Sequence, residues 1–156
     1  MEGQFQEDYS LFVSFVKSKD TVEAEIVKNL KIEKVEVSGG GKRIRLQIPV
    51  IKTYLNGFGG VFGGTMAAIV DSAATCLSMM LDKRVCKSLE LNVTYIGVAK
   101  LGEVLTVDVF CPKAGKNILF TTVEVRSKGK VVAVGTNTKV FSDHSQWREV
   151  INRPKI

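Results

Sequence analysis

Between Thr65 and Leu81 the chain is apolar on nearly every side of a helix, with Met66, Ala67, Ala68, Ile69, Val70, Ala73, Ala74, Leu77, Met79, Met80 and Leu81. A helix of that kind belongs inside a fold. The run is short for a membrane span and one acid, Asp71, interrupts it, so no membrane insertion is expected. A carboxylate in such a helix needs partners, a shifted pKa or a chemical role. Just before the run, Asn56-Gly57-Phe58-Gly59-Gly60-Val61-Phe62-Gly63-Gly64 places five glycines in nine residues. The backbone of such a loop can come close to a ligand.

The rest of the chain reads as a shell for this helix. Phe5, Tyr9, Phe12 and Val16 fall on one helical face, and Ser18-Lys19-Asp20 breaks it. A short second helix from about Thr21 puts Val22, Ile26 and Leu30 on one side. From Ile32 the period becomes two: Val35 and Val37, a turn at Ser38–Lys42, then Ile44, Leu46 and Ile48, a hairpin. Pro49 ends its second strand or marks an edge. After the glycine loop (50–64) and the helix (about 64–81), four alternating runs follow. They are Leu89–Tyr95, Leu105–Cys111, Leu119–Val125 and the set Val132, Val134, Thr136, Thr138 and Val140. Their short separators favour antiparallel pairing of sequence neighbours. The sum is an α+β domain, an antiparallel sheet around one long helix. Residues 1–30 form a helical lead, 31–141 the domain and 142–156 a polar tail. Such a sheet has edges to protect, so a homo-oligomer paired across a two-fold axis is expected.

Composition narrows the function. The 156 residues, 45% hydrophobic and 24% charged, suit one globular domain. A net charge of +6 leans towards an anionic partner. The lysines are scattered and not interleaved with aromatics, so no nucleic-acid surface is indicated. Cys76, Cys86 and Cys111 are odd in number and lie in apolar surroundings, which suits a reducing compartment. No zinc-like spacing exists, and His144, the lone histidine, has no ligand partner nearby, so no metal site is expected. Glu2, Glu7 and Asp8 argue against a leader peptide, and Arg153-Pro154-Lys155-Ile156 is no peroxisomal or lipidation signal. The cytosol is the expected location, with mitochondrial association as the alternative.

Three motifs are absent. The glycine loop fails G-x-G-x-x-G at Phe62, and neither a phosphate loop nor a G-x-S-x-G elbow occurs. What remains is Asn56, then Gly63-Gly64 at a helix mouth, then Asp71. First-turn amides have no intrahelical acceptor, and glycines leave them uncovered for a carbonyl or an oxyanion. Asp71, about two turns in, is a candidate base. A tight turn and a buried structural acid are the alternatives.

The pattern Asn56…Gly63-Gly64-Thr65…Asp71 resembles that of the hotdog-fold acyl-CoA thioesterases. The likeness points to the phenylacetate-thioesterase-like group that includes the animal thioesterase superfamily member 2 enzymes. Ser88–Tyr95, Ala99–Glu103 and Lys113–Lys116 are similar to that family too, and the resemblance runs over about residues 30–141. It implies a hotdog fold and an enzyme that releases free coenzyme A and a carboxylic acid. It also implies a dimer or dimer of dimers, with sites at the dimer interface and no cofactor beyond the coenzyme A of the substrate. By the same resemblance Asp71 is base or nucleophile and Ser88 places the water. Asn56 and the Gly63 amide polarise the thioester, beside Phe62 and Gly64. Tyr95 to Lys100, with Lys113, Gly115 and Lys116, hold coenzyme A. Met79 and Met80 are core, or line an acyl tunnel. The family usually has histidine at position 62, and phenylalanine cannot hydrogen-bond there. A hotdog protein that binds acyl-CoA without hydrolysing it is the alternative.

Overall fold

The computed structural model describes residues 2–38, 41–82, 84–112 and 114–146. Two helices lead, α1 (Glu2–Lys17) and α2 (Val22–Val27), followed by the hairpin β1 (Lys31–Ser38) and β2 (Gly41–Pro49). The long helix α3 (Gly63–Leu81) comes next, then β3 (Arg84–Tyr95), β4 (Val104–Cys111), β5 (Ile118–Ser127) and β6 (Lys130–Gln146). The strands form one six-stranded sheet in the order β1-β2-β4-β5-β6-β3, antiparallel throughout. This is the hotdog arrangement: α3 touches β2 to β6, and the sheet curls around it.

Residue pattern explains the wrapping. Ile69, Val70, Ala73, Ala74 and Leu77 are buried on α3, against Ile44, Leu46 and Ile48 of β2 and the inward residues Leu105, Val107, Val109, Leu119, Val123 and Val125. α3 has the length and hydropathy of a membrane span, and its apolar sides are used up inside this core. Gly135 permits the closest approach, because a Cβ there would lie 2.9 Å from Val70 Cγ1 and 2.8 Å from the Asn92 carbonyl. α1 and α2 pack on the side of the helix the sheet leaves open. Thr21 caps α2, its hydroxyl accepting from the Ala24 amide at 3.1 Å. The buried Tyr54 donates its hydroxyl to the Glu25 carbonyl at 2.9 Å, tying the glycine loop to α2.

Four features differ from the sequence reading. β3 does not pair with β4. Residues 96–103 cross the mouth of α3, where Gly60 bridges Lys100 and the Val61 amide donates to the Ala99 carbonyl, so β3 becomes the edge beside β6. In β6 the period holds but the phase is inverted: Asn137, Lys139 and Phe141 are buried while Val134, Thr136, Thr138 and Val140 face away from the core side. β6 runs on to Gln146, which pairs with Arg84, so the strand overruns the expected end at 141. Val22, expected on the apolar side of α2, is exposed. The side chains of Phe5, Tyr9 and His144, and all of residues 147–156, lie outside the described set.

Candidate active site

Asp71 sits at the centre of a polar cluster set into an apolar helix. Its Oδ1 accepts from the Ser88 hydroxyl at 2.6 Å, from Asn137 Nδ2 at 2.6 Å and from Lys139 Nζ at 3.1 Å. Lys139 also donates to Ser88 Oγ at 2.8 Å, and Asn137 Nδ2 makes a longer bond to the same oxygen at 3.4 Å. The direction of these bonds follows from chemistry: an ammonium only donates and a carboxylate only accepts. Ser88, lying between them, must accept from Lys139 and spend its one proton on Asp71. Asp71 Oδ2 has no hydrogen-bond partner among the described residues, and the side chain is 40% exposed. Lys139, by contrast, is 2% exposed.

Burial pushes the Asp71 carboxyl up, but the Ser88 hydroxyl, the Lys139 ammonium and the Asn137 amide outweigh it and hold the group below its ordinary range. Glu23 on α2 moves the other way: burial and the Asp71 charge raise it, and Lys139 only partly offsets this. Asn137 must turn its amide nitrogen to Asp71, since two facing oxygens repel. Its own Oδ1 is then the one buried side-chain polar atom without a partner among the described residues. Such a group costs about 1–3 kcal/mol, and a protein retains it where a site demands it.

Asn137 and Lys139 are the functional candidates that sequence reasoning missed. The strand pattern gave no signal for them, because the valines and threonines of β6 suggest the opposite phase. Both share the inward face of β6 with Ala133 and Phe141, at a spacing of two.

Gly63 opens α3, and Asn56 lies in the loop before it. Asn56 Oδ1 accepts from the Phe58 amide at 2.9 Å and the Gly60 amide at 3.3 Å, which sets the loop and leaves Nδ2 as a spare donor. No side chain caps the helix at Phe62. Tyr95 lies against Gly63 and donates its hydroxyl to the Gly63 carbonyl at 2.9 Å. The Phe62 ring lies over Gly64, where a Cβ would stand 2.5 Å from Cε1. Eight residues of helix at 1.5 Å each put Gly63 and Asp71 about 12 Å apart along the axis. One chain therefore does not bring the expected carbonyl donors to the expected base.

The residues expected to hold coenzyme A are also divided. Tyr95 and Lys100 lie at the end of β3, beside the glycine loop. Lys116 lies at its start, where its carbonyl accepts from Arg84 Nη2 at 2.5 Å, and Gly115 donates its amide to the Ile118 carbonyl at 3.0 Å. Lys113 lies outside the described residues. Met80 is buried and Met79 packs on the core. A hollow of about 490 Å³ lies elsewhere, on the outer face of the sheet between Arg43, Asn92, Phe110 and Thr136, and none of these groups lines it.

Comparison with known proteins gives the class. The sequence pattern described as "Thioesterase superfamily" matches residues 58–134. The mouse protein named acyl-coenzyme A thioesterase 13 is 33% identical over 69% of this chain and 80% of its own length. The chain belongs to the thioesterase superfamily. Among solved structures, zebrafish thioesterase superfamily member 2 matches with a TM-score of 0.68 and 25% identity, over 81% of this thioesterase and 91% of that chain. A hypothetical thioesterase of Streptococcus pneumoniae, solved with coenzyme A, shares the fold at a TM-score of 0.66 and 23% identity, over 74% of this chain and 87% of that one.

Proposed function

We propose that this protein, a thioester hydrolase by family, hydrolyses acyl-coenzyme A thioesters with an Asp71-activated water, and that two copies of the chain build each site. The observation that carries the reading is an ionised, half-open carboxylate with one oxygen fully engaged and the other spare. Water donates one proton to Asp71 Oδ2 and the other to the Ser88 lone pair that Asn137 Nδ2 holds only distantly, at 3.4 Å. Its oxygen bonds to the thioester carbon, and the carbonyl oxygen takes up charge against the Gly63 amide and Asn56 Nδ2. The C–S bond then breaks, and the proton held by Asp71 passes to the departing sulfur, so coenzyme A leaves as the thiol and Asp71 is ionised again. The step balances with water alone.

The second copy follows from distance. Asp71 and Gly63 stand about 12 Å apart along one helix. Arg84 and Tyr95, at the two ends of β3, stand about 36 Å apart at 3.3 Å per residue, and residues so far apart cannot grip one phosphate group together. β3 is also a twelve-residue edge strand, with Leu89 61% and Tyr95 54% exposed. Long apolar edges invite pairing. Antiparallel pairing of two β3 strands about a two-fold axis sets the start of one against the end of the other. Asp71 and Lys116 of one copy then face Gly63, Asn56 and Lys100 of its partner. The lysines meet the phosphates of coenzyme A, which gives the basic surface a use.

Free-thiol release across short, long and aryl acyl-CoAs tests the reading, with Asp71→Asn as control. Turnover of at least one class by wild type, abolished in the variant, is the expected result. Phe62 supports a second reading, binding without hydrolysis, since it brings an apolar ring and no donor to the helix mouth. Tight binding of a non-hydrolysable analogue with no turnover of any thioester would establish that instead.

A further inference from the structure

The hydrolytic step above leaves Lys139 unused, yet the fold goes to some expense to hold it. Lysine is among the residues least often fully buried. Withdrawing an ammonium from water costs several kcal/mol, and an apolar side chain would fill an inward strand position without that cost. Ala133 and Phe141 do so on the same face of β6. Lys139 instead points its Nζ at two acceptors, Asp71 Oδ1 and Ser88 Oγ.

We propose that Lys139 is a positioning residue of the hydrolytic site: it locks Asp71 through Oδ1 and fixes the Ser88 hydroxyl, so that Oδ2 and one Ser88 lone pair face the same water. The inference rests on the thioesterase reading. Its core is the one-way chain from Lys139 N–H to Ser88 O–H to Asp71 Oδ1. Without the ammonium, Ser88 can turn its proton outward and offer the water a donor where an acceptor is needed. Lys139 is closed to solvent while Asp71 and Ser88 are open to it, so the lysine acts through them and does not touch substrate.

Charge works in the same direction. Around Asp71 stand Lys139 and Asn137 on β6, Ser88 and Cys86 on β3 and Glu23 on α2, while Cys76 of α3 lies in the field of Glu23 and Lys139. Lys139 is the cation among them. Burial pushes the Cys76 thiol up to about 12, so it stays neutral, and burial raises Cys86 too. The Glu23 charge opposes that of Asp71, so the Ser88 hydroxyl, the Lys139 ammonium and the Asn137 amide together keep the site ionised, Lys139 being the one that does so by charge.

Lys139→Met and Lys139→Gln test this, read by pH–rate profiles and by the carboxyl carbon resonance of Asp71 in aspartate-labelled protein. For Lys139→Met, kcat is expected to fall on the order of 10–100-fold with KM within about two-fold. The acidic limb of kcat/KM, and the Asp71 titration, should both rise by about one pH unit or more. Lys139→Gln keeps a buried donor for Ser88 and should recover part of kcat while the limb stays raised. It also covers the case in which the methionine variant does not fold. An unmoved limb and an unmoved Asp71 titration would reduce Lys139 to core filling. The titration needs no turnover. If wild type hydrolysed nothing, the thioesterase reading would fall, and the resonance would still decide whether Lys139 governs Asp71.

Discussion

Two carboxylates in this chain are each held by a lysine and a serine, and they are held differently. Glu103 Oε2 accepts from the Ser127 hydroxyl at 2.5 Å and the Lys100 amide at 3.2 Å, and Oε1 meets Lys128 Nζ at 2.8 Å. Both oxygens are engaged, and Lys128, Ser127 and the Lys100 amide draw the carboxyl down to about 2. Asp71 gathers three donors on Oδ1 and leaves Oδ2 without a partner among the described residues. The lysine at Glu103 is largely exposed, while the one at Asp71 is buried. A carboxylate filled on both oxygens is a clasp, here tying the crossing segment 96–103 to the β5–β6 turn. A carboxylate with one oxygen spare can take a proton from water.

Matched substitutions give the largest expected contrast. Asp71→Asn should lower kcat about 10³-fold, within the range a general base supplies. Glu103→Gln, the same change of one oxygen for an amide, should leave kcat within about two-fold. Equal losses in both would erase the distinction drawn from the spare oxygen.

The second contrast is that the Glu103 clasp is complete in one chain and the Asp71 site is not. Asp71→Asn and Asn56→Ala chains should each be inactive as homodimers. Unfolded together and refolded as a mixture, they should regain about a quarter of wild-type turnover, because half of the random dimers carry one intact site of two. Sedimentation of the mixture checks that dimers re-form. No recovery from re-formed dimers would put both ends of the site in one chain, against the 12 Å that the helix interposes.

The central helix was legible because eleven apolar residues in one run admit few surroundings, and Asp71 stood out against them. The strands of β2, β4 and β5 were legible in both period and phase, since aliphatic residues such as Ile44, Leu105 and Leu119 dominate their inward faces. β3 was legible in period and, at Val93 and Tyr95, in phase, but β6 in period alone. On β6 the valines and threonines at even positions look like the inward set, but the inward face carries Asn137 and Lys139, whose partners lie 66 and 68 residues away on α3. Burial of a lysine cannot be read from a strand pattern, because it depends on a carboxylate that only the fold brings near. The edge position of β3 was hidden for a similar reason: loop length measures local reach, and 96–103 spends that reach crossing α3. Asp71 with Ser88 was found through family resemblance, and the geometry then joined them at 2.6 Å.

The serines extend the comparison at a smaller scale. Ser88→Ala removes an acceptor for the water and a donor to Asp71, and should lower kcat about ten-fold, the effect of one or two hydrogen bonds. Ser127→Ala removes one bond from a clasp and should leave kcat unchanged. A ten-fold loss in both would mean that the crossing segment, through Lys100, feeds into the rate.

The smallest effect is on stability, and it carries a sign. Glu103 titrates in the folded protein at about 2, against an ordinary 4.5. A carboxyl depressed by folding contributes stability above its unfolded pKa and loses it as pH falls through the folded one. The urea midpoint of wild type should therefore exceed that of Glu103→Gln at neutral pH, hold that lead down to about 4.5, and lose it between there and about 2. A lead that did not change with pH would mean that shape alone, and not charge, holds the clasp. The spare oxygen would then be the only electrostatic difference between the two sites that matters for function.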